Sequence, residues 1–143
     1  MHPIGVIHSP FTDKDRTPIQ ASRSQAVGLV EIYPEFADGL QDIDGFSHII
    51  LLYAFHRSAG YSLRVKPFLD DQEHGLFATR YPNRPNPIGL SVVKLLGRQE
   101  TALTVEGVDV LDETPLLDIK PFVPEFDLRS NIHIGWYETR SHK

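Results

Sequence analysis

Ser47-His48-Ile49-Ile50-Leu51-Leu52-Tyr53-Ala54-Phe55 is apolar at odd and even positions alike. A short run with two apolar faces reads as a strand buried on both sides, in a barrel core or against a partner subunit. On its N-terminal side, Ile4-Gly5-Val6-Ile7-His8 reads as a first strand that Ser9-Pro10 stops. Val27 to Tyr33 is rich in β-formers. Pro34 to Leu40 suits one helical turn, with proline at a first helical position and Gly39 near its end. Asp44-Gly45 marks a turn. On the C-terminal side, Ile88–Leu96 and Thr101–Val110 read as two further strands, joined through Gly97-Arg98-Gln99-Glu100 as a hairpin. Gly107 suggests a bulge in the second of them, and Ile132–Tyr137 reads as a last strand. Several short strands and no long amphipathic helix predict an all-β, mainly β protein. A single closed β-barrel with short helical turns is the expected form, because closure leaves no open edges.

The chain has 143 residues, 41% hydrophobic and 23% charged, which fits one globular domain over 1–143 with its own core. It contains no cysteine, which excludes disulfides, thiolate metal sites and a cysteine nucleophile, and suits a cytoplasmic protein. The longest apolar run, Ile49–Phe55, is too short to span a bilayer, so no membrane role is expected. The start, Met1-His2-Pro3-Ile4, does not read as a signal peptide. The net charge of −5 gives no bulk attraction for phosphate backbones, so any nucleic-acid contact requires a local patch. Arg57, Arg64, Lys66, Arg80 and Arg84 form such a cluster mid-chain, opposed by Asp70, Asp71 and Glu73. The stretch from Glu106 to Asp127 is acidic, with Lys120 its only base.

Familiar catalytic signatures are missing. There is no G-x-G-x-x-G and no Walker loop. Ser91, in Gly89-Leu90-Ser91-Val92-Val93, lacks the second glycine of a nucleophile elbow. The seven histidines form neither H-x-H nor H-E-x-x-H, so no metal site is expected.

Two loops stand out. In Gly75-Leu76-Phe77-Ala78-Thr79-Arg80-Tyr81-Pro82-Asn83-Arg84-Pro85-Asn86-Pro87-Ile88-Gly89, three prolines stiffen the backbone before anything binds. If the segment follows polyproline II geometry, Asn83 and Asn86 share one face. Arg80 and Arg84 supply forked donors suited to carboxylate or phosphate. Such a pre-ordered loop loses little entropy on binding; as a plain connector, its asparagines would cap turns. The second stretch, Asp109 to Asp127, scatters carboxylates among apolar residues. It suits a cationic ligand. Equally, Asp112 and Thr114 suit a hydrogen-bonded turn, and Asp118 a pairing with Lys120 or an arginine.

Together the two loops resemble the signature of the TrmO/TsaA-like family of β-barrel tRNA methyltransferases. The resemblance lies in Phe77-Ala78-Thr79-Arg80 with Arg84-Pro85-Asn86-Pro87-Ile88-Gly89, and in Asp109-x-Leu111-Asp112-x-Thr114-Pro115-Leu116-Leu117-Asp118-Ile119-Lys120-Pro121. It extends to Ile4-Gly5-Val6-Ile7-x-Ser9-Pro10, Pro18-x-Gln20, Gly45-Phe46-Ser47-His48 and Phe55-His56. The match is collinear and strongest over 4–127, leaving 128–143 as a C-terminal tail.

That resemblance implies a closed barrel, a homodimer, S-adenosylmethionine as cofactor and tRNA as partner. The family's reaction is N6-methylation of threonylcarbamoyl-adenosine next to the anticodon. The alternatives are a methyltransferase acting on a small molecule and a non-catalytic S-adenosylmethionine-binding protein. By position, the cofactor contacts fall on Pro18, Ile19, Gln20, His56, Arg57, Arg80, Asp109, Leu111, Asp112 and Thr114. Asn83, Arg84, Asn86 and Lys120 are the expected substrate contacts. Arg80 suits the cofactor carboxylate, and Asp112 its cationic end. A general base is optional to this chemistry; His56 is the candidate, since an ordinary imidazole exchanges protons near neutrality. This chain departs from the family pattern at Glu113, where glycine is common, and at Tyr81, where serine is. Longer members carry a further C-terminal domain, and the expectation here is the short form without it.

Overall fold

The computed structural model describes residues 1–12, 25–67 and 70–139. Eight strands occur among them: β1 (Gly5–His8), β2 (Val27–Ile32), β3 (His48–Ala54), β4 (Arg64–Val65), β5 (His74–Gly75), β6 (Ile88–Gln99), β7 (Ala102–Glu106) and β8 (Thr114–Pro121). Six of them close a barrel in the order β1-β2-β7-β6-β3-β8, antiparallel throughout. The expected all-β closed barrel is what forms. β4 and β5 make a separate two-stranded ribbon that the sequence pattern did not announce.

Alternation places one face of each barrel strand inside. From β3, Ile49, Leu51 and Tyr53 point into the core, where they meet Ile7, Val30, Val93, Leu103, Val105 and Leu116. The outer face of β3 carries Ile50, Leu52 and Ala54, which pair across the sheet with Val92, Leu90 and Ile88 of β6. The two apolar faces of Ile49–Phe55 therefore do different work: one fills the barrel, and the other joins an apolar patch outside it. Ile88, Leu90 and Val92 remain 36%, 45% and 36% exposed there.

Four local expectations are corrected. β6 runs on through the stretch expected as the hairpin loop and turns only at Glu100, which takes φ +56°, and Thr101. The bulge lies in β6, where register shifts between Leu95 and Gly97, and not at Gly107; Gly107, with φ +103°, instead ends β7's run. Thr114–Pro121, within the stretch taken as loop, is β8. Its prolines are tolerated because they stand at the strand's ends. Ile132–Tyr137 is not a strand: Asn131 and Gly135 adopt positive φ, and a 3-10 turn follows over Gly135–Thr139. Trp136 there stacks on His74, centroids 4.4 Å apart, and its indole N–H donates to the Ala78 carbonyl at 2.8 Å.

The barrel has two distinct ends. One is closed by the 3-10 turns Pro34–Leu40 and Ile43–Gly45, which bury Leu40 and Ile43. At the other, β3 leaves the barrel and β6 enters it, tied by the Phe55 N–H to the Pro87 carbonyl at 2.8 Å. Among the described residues, no helix is long and apolar enough to cross a membrane.

Candidate functional site

The second barrel end gathers both loops singled out in the sequence. After β7, the Gly107 and Val108 N–H groups donate to the Ala26 carbonyl just before β2, and Asp109 receives a hydrogen bond from Ser91 of β6 at 2.6 Å. Ser91 is 3% exposed, and its hydroxyl lies 2.8 Å from the Tyr53 phenol oxygen. A serine hydroxyl has one proton, and Ser91 gives it to Asp109. The Tyr53 O–H is therefore the donor in the other bond. Burial, and then the nearby Asp109 carboxylate, push the Tyr53 phenol well above its ordinary value, and the Arg80 charge opposes that shift. Arg80, from the proline-rich loop, is thus close enough to act electrostatically on Tyr53, at the spot where Asp109 is anchored.

Asp112 is fastened to the exit of β1. Its Oδ1 accepts from the Ser9 N–H at 3.0 Å and lies 3.5 Å from His8 Nδ1, while its own N–H donates to the Phe11 carbonyl at 2.7 Å. Thr114 is buried and donates to the Leu111 carbonyl at 2.5 Å, so the hydrogen-bonded turn of the plainer reading is present. Between them Glu113 takes φ +65°. That conformation costs an L-residue about 1–2 kcal/mol and favours glycine. Glu113 is one of the two positions at which this chain departs from the pattern it resembles, and its positive φ is one that glycine adopts freely.

The proline-rich loop is bent at residues 82, 85 and 86 and does not follow a straight polyproline II path. Arg84 is the reason. Its guanidinium donates to the carbonyls of Thr79 at 3.0 Å, Tyr81 at 2.8 Å and Leu76 at 3.2 Å, and lies 5.9 Å from the centre of the Phe77 ring. Asn83 accepts from the Ser58 hydroxyl at 2.8 Å, which binds this loop to the turn carrying His56 and Arg57. Those two residues and Asn86 are exposed. Lys120 sits on β8 and pairs with Asp118 at 3.0 Å. Gly89 packs its backbone against the rings of Tyr53 and Phe55: a Cβ there would fall 2.3 Å from Tyr53 Cε2. Pro18, Ile19 and Gln20 lie outside the described residues.

His56, Arg57, Arg80, Asp109, Leu111, Asp112 and Thr114 thus belong to segments that meet at one barrel end. Ser91 and Tyr53 join them, and sequence reading assigned neither a role. The signal available was a serine at an inward position, between Gly89 and Val93, where a buried hydroxyl requires partners. A groove of about 690 Å3 lies beside Arg98 and the 3-10 turns, at the opposite end. A shallower one, of about 360 Å3, runs between His8–Pro10 and Val27–Leu29. Among the described residues no three His, Asp or Glu side chains are grouped to hold a metal ion.

Residues 6–128 match the family described as tRNA-methyltransferase O N-terminal domain. A probable S-adenosyl-L-methionine-binding protein of Pyrococcus abyssi is 56% identical over 99% of this chain and 77% of its own length. The human tRNA (adenine(37)-N6)-methyltransferase is 36% identical over 91% of this chain, which spans 31% of that enzyme. A crystal structure of TrmO superposes with a TM-score of 0.80 at 40% identity, covering 94% of this chain and 62% of that one.

Proposed function

This chain belongs to the tRNA-methyltransferase O N-terminal domain family, and from that premise we propose that it uses S-adenosylmethionine to methylate N6 of the threonylcarbamoyl-adenosine beside a tRNA anticodon. The observation that carries the reading is that the proline-rich loop, with Arg80, runs into β6 at the barrel end where the Tyr53–Ser91–Asp109 chain fixes a carboxylate of the acidic segment.

The donor set suits this cofactor. S-adenosylmethionine combines a carboxylate, a sulfonium cation and a nucleoside. Arg80 is the group for the carboxylate, as a forked donor. Asp109 and Asp112 are fixed carboxylates whose field favours the cationic portion, and Leu111 adds apolar surface between them. The bound cofactor supplies an electrophilic methyl group, and transfer requires in-line approach of the acceptor nitrogen. What the protein contributes is then orientation and a fixed field. Both carboxylates are held before any ligand arrives, Asp109 by Ser91 and Asp112 by the Ser9 N–H. His56, exposed at the turn after β3, is the proposed acceptor of the nitrogen's proton. Asn86 remains a proposed substrate contact, and Asn83 and Arg84 act mainly by shaping the loop; Lys120, opposite Ile50 and paired with Asp118, stands toward the other barrel end and is not brought to the site. Action on tRNA would place the protein in the cytoplasm.

The homodimer that the resemblance implies is assigned to the outer face of β3 and β6. Ile50, Leu52, Ala54, Ile88, Leu90 and Val92 form a continuous apolar patch there, the kind of surface an isologous contact buries. Leu90→Glu should yield a folded monomer by light scattering; a monomeric parent protein would contradict the assignment.

Nucleoside mass spectrometry on tRNA from cells lacking this protein tests the acceptor. The methylated threonylcarbamoyl-adenosine should disappear and return on complementation. Unchanged modification would leave a small-molecule methyltransferase or a binding protein as the reading.

A further inference from the structure

We propose that the exposed ring of Phe77 is a stacking platform for an unpaired base of the RNA substrate, held in place by Arg84. The inference rests on the acceptor being tRNA and adds to that reading the surface on which the RNA is seated.

Phe77 occupies a one-turn 3-10 helix, Leu76–Ala78, between the ribbon and the proline-rich loop. Its neighbour Leu76 is buried at 1% exposure and anchors the turn, whereas Phe77 is 75% exposed. Such a ring on a rigid turn is not core. Its backbone is fixed on three sides: Arg84 binds the carbonyls of Leu76, Thr79 and Tyr81, the Trp136 indole binds the Ala78 carbonyl, and Thr79 donates to the Leu76 carbonyl at 2.7 Å. The Arg84 guanidinium lies 5.9 Å from the ring centre, within cation–π range. Little freedom is left for a bound base to remove.

Charge identifies the occupant. Residues 54–67 and 74–93 contain Arg57, Arg64, Lys66, Arg80 and Arg84 and no Asp or Glu, in a chain whose net charge is −5. The ribbon register, Arg64 opposite Gly75, brings Leu63 and Arg64 beside Leu76 and Phe77. The Leu76 N–H bonds the Leu63 carbonyl at 2.8 Å. The nearby acids Asp70, Asp71 and Glu73 lie in the loop at the ribbon's other end, and Asp70 is paired with His74. Exposed aromatic and apolar side chains, Tyr61, Leu63, Phe77 and Tyr81, are interleaved with these cations. Basic residues tracking phosphates, with aromatic faces for bases, are how proteins hold single-stranded nucleic acid. An anticodon loop presents such bases.

Fluorescence anisotropy with a 5′-labelled anticodon stem-loop RNA, using the full chain, tests this. Phe77→Ala should weaken RNA binding by about tenfold or more, the usual effect of losing one stacked base. Phe77→Leu should lose binding similarly, because it keeps apolar area but no π face, and Phe77→Trp should retain it. S-adenosylmethionine affinity and the urea midpoint should stay at parent values in all three variants. Parent-like RNA binding by Phe77→Ala overturns the platform alone. A parent protein that binds no RNA overturns the platform and the tRNA reading together.

Discussion

Ser91 Oγ lies 2.6 Å from Asp109 Oδ1, and this bond ties the barrel's interior to its candidate site. Because Ser91 also accepts from Tyr53, the carboxylate is held by a chain that begins inside the core. Removing the serine hydroxyl strands a buried phenol and takes one donor from the Asp109 carboxylate. Ser91→Ala should cost about 1–3 kcal/mol of stability, read from urea midpoints. It should also weaken S-adenosylmethionine binding by calorimetry. Ser91→Thr, which restores the hydroxyl, should recover affinity more than stability, since the added methyl crowds a packed interior.

Tyr53 gives an alkaline signature. In the folded chain its phenol titrates above the ordinary 10.0. Below pH about 10 both folded and unfolded chains keep the proton, and the contribution is fully present. As pH rises further, the unfolded chain releases a proton that the folded chain retains, so stability falls. Tyr53→Phe should flatten that decline between pH about 9.5 and 11 in urea titrations, relative to the parent. An equally steep decline in both proteins would contradict the buried, protonated phenol.

Arg80 is exposed, so its removal should not disturb the fold. Arg80→Ala should leave the urea midpoint unchanged and weaken S-adenosylmethionine binding by about tenfold or more, the scale of a lost charge-assisted pair. Arg80→Lys should recover only part of that affinity, because a single ammonium lacks the fork. Undiminished affinity in Arg80→Ala would remove this residue from the site.

Glu113 carries strain that the sequence could relieve. With φ +65° it occupies a conformation glycine enters freely. Glu113→Gly should therefore raise stability by up to about 1 kcal/mol, with glycine's greater unfolded entropy offsetting part of the relief. Glu113→Ala should gain nothing, as alanine meets the same steric conflict.

Strand periodicity made the barrel legible, because the inward set Ile49, Leu51 and Tyr53 needs a closed core, whereas the second apolar face of β3 lies outside it. β8 escaped because Pro115, Pro121, Asp118 and Lys120 mask its inward Thr114 and Leu116. The supposed last strand misled because Ile132, Ile134 and Trp136 alternate as a strand would, yet Asn131 and Gly135 turn the backbone. In the site, loop composition marked Arg80 and Asp112. The fold-back of Arg84 onto Leu76, Thr79 and Tyr81 was hidden, since an arginine's partners are carbonyls that no side-chain pattern reveals. The Tyr53–Ser91–Asp109 chain was hidden for a different reason: its members come from three strands or loops, and only strand register aligns them.

A crystal structure of this protein soaked with S-adenosylmethionine is the decisive measurement. The cofactor carboxylate should sit on Arg80 and its sulfonium beside Asp109 and Asp112, at the barrel end where β3 leaves and β6 enters. Density instead in the groove beside Arg98, at the other end, would contradict the account.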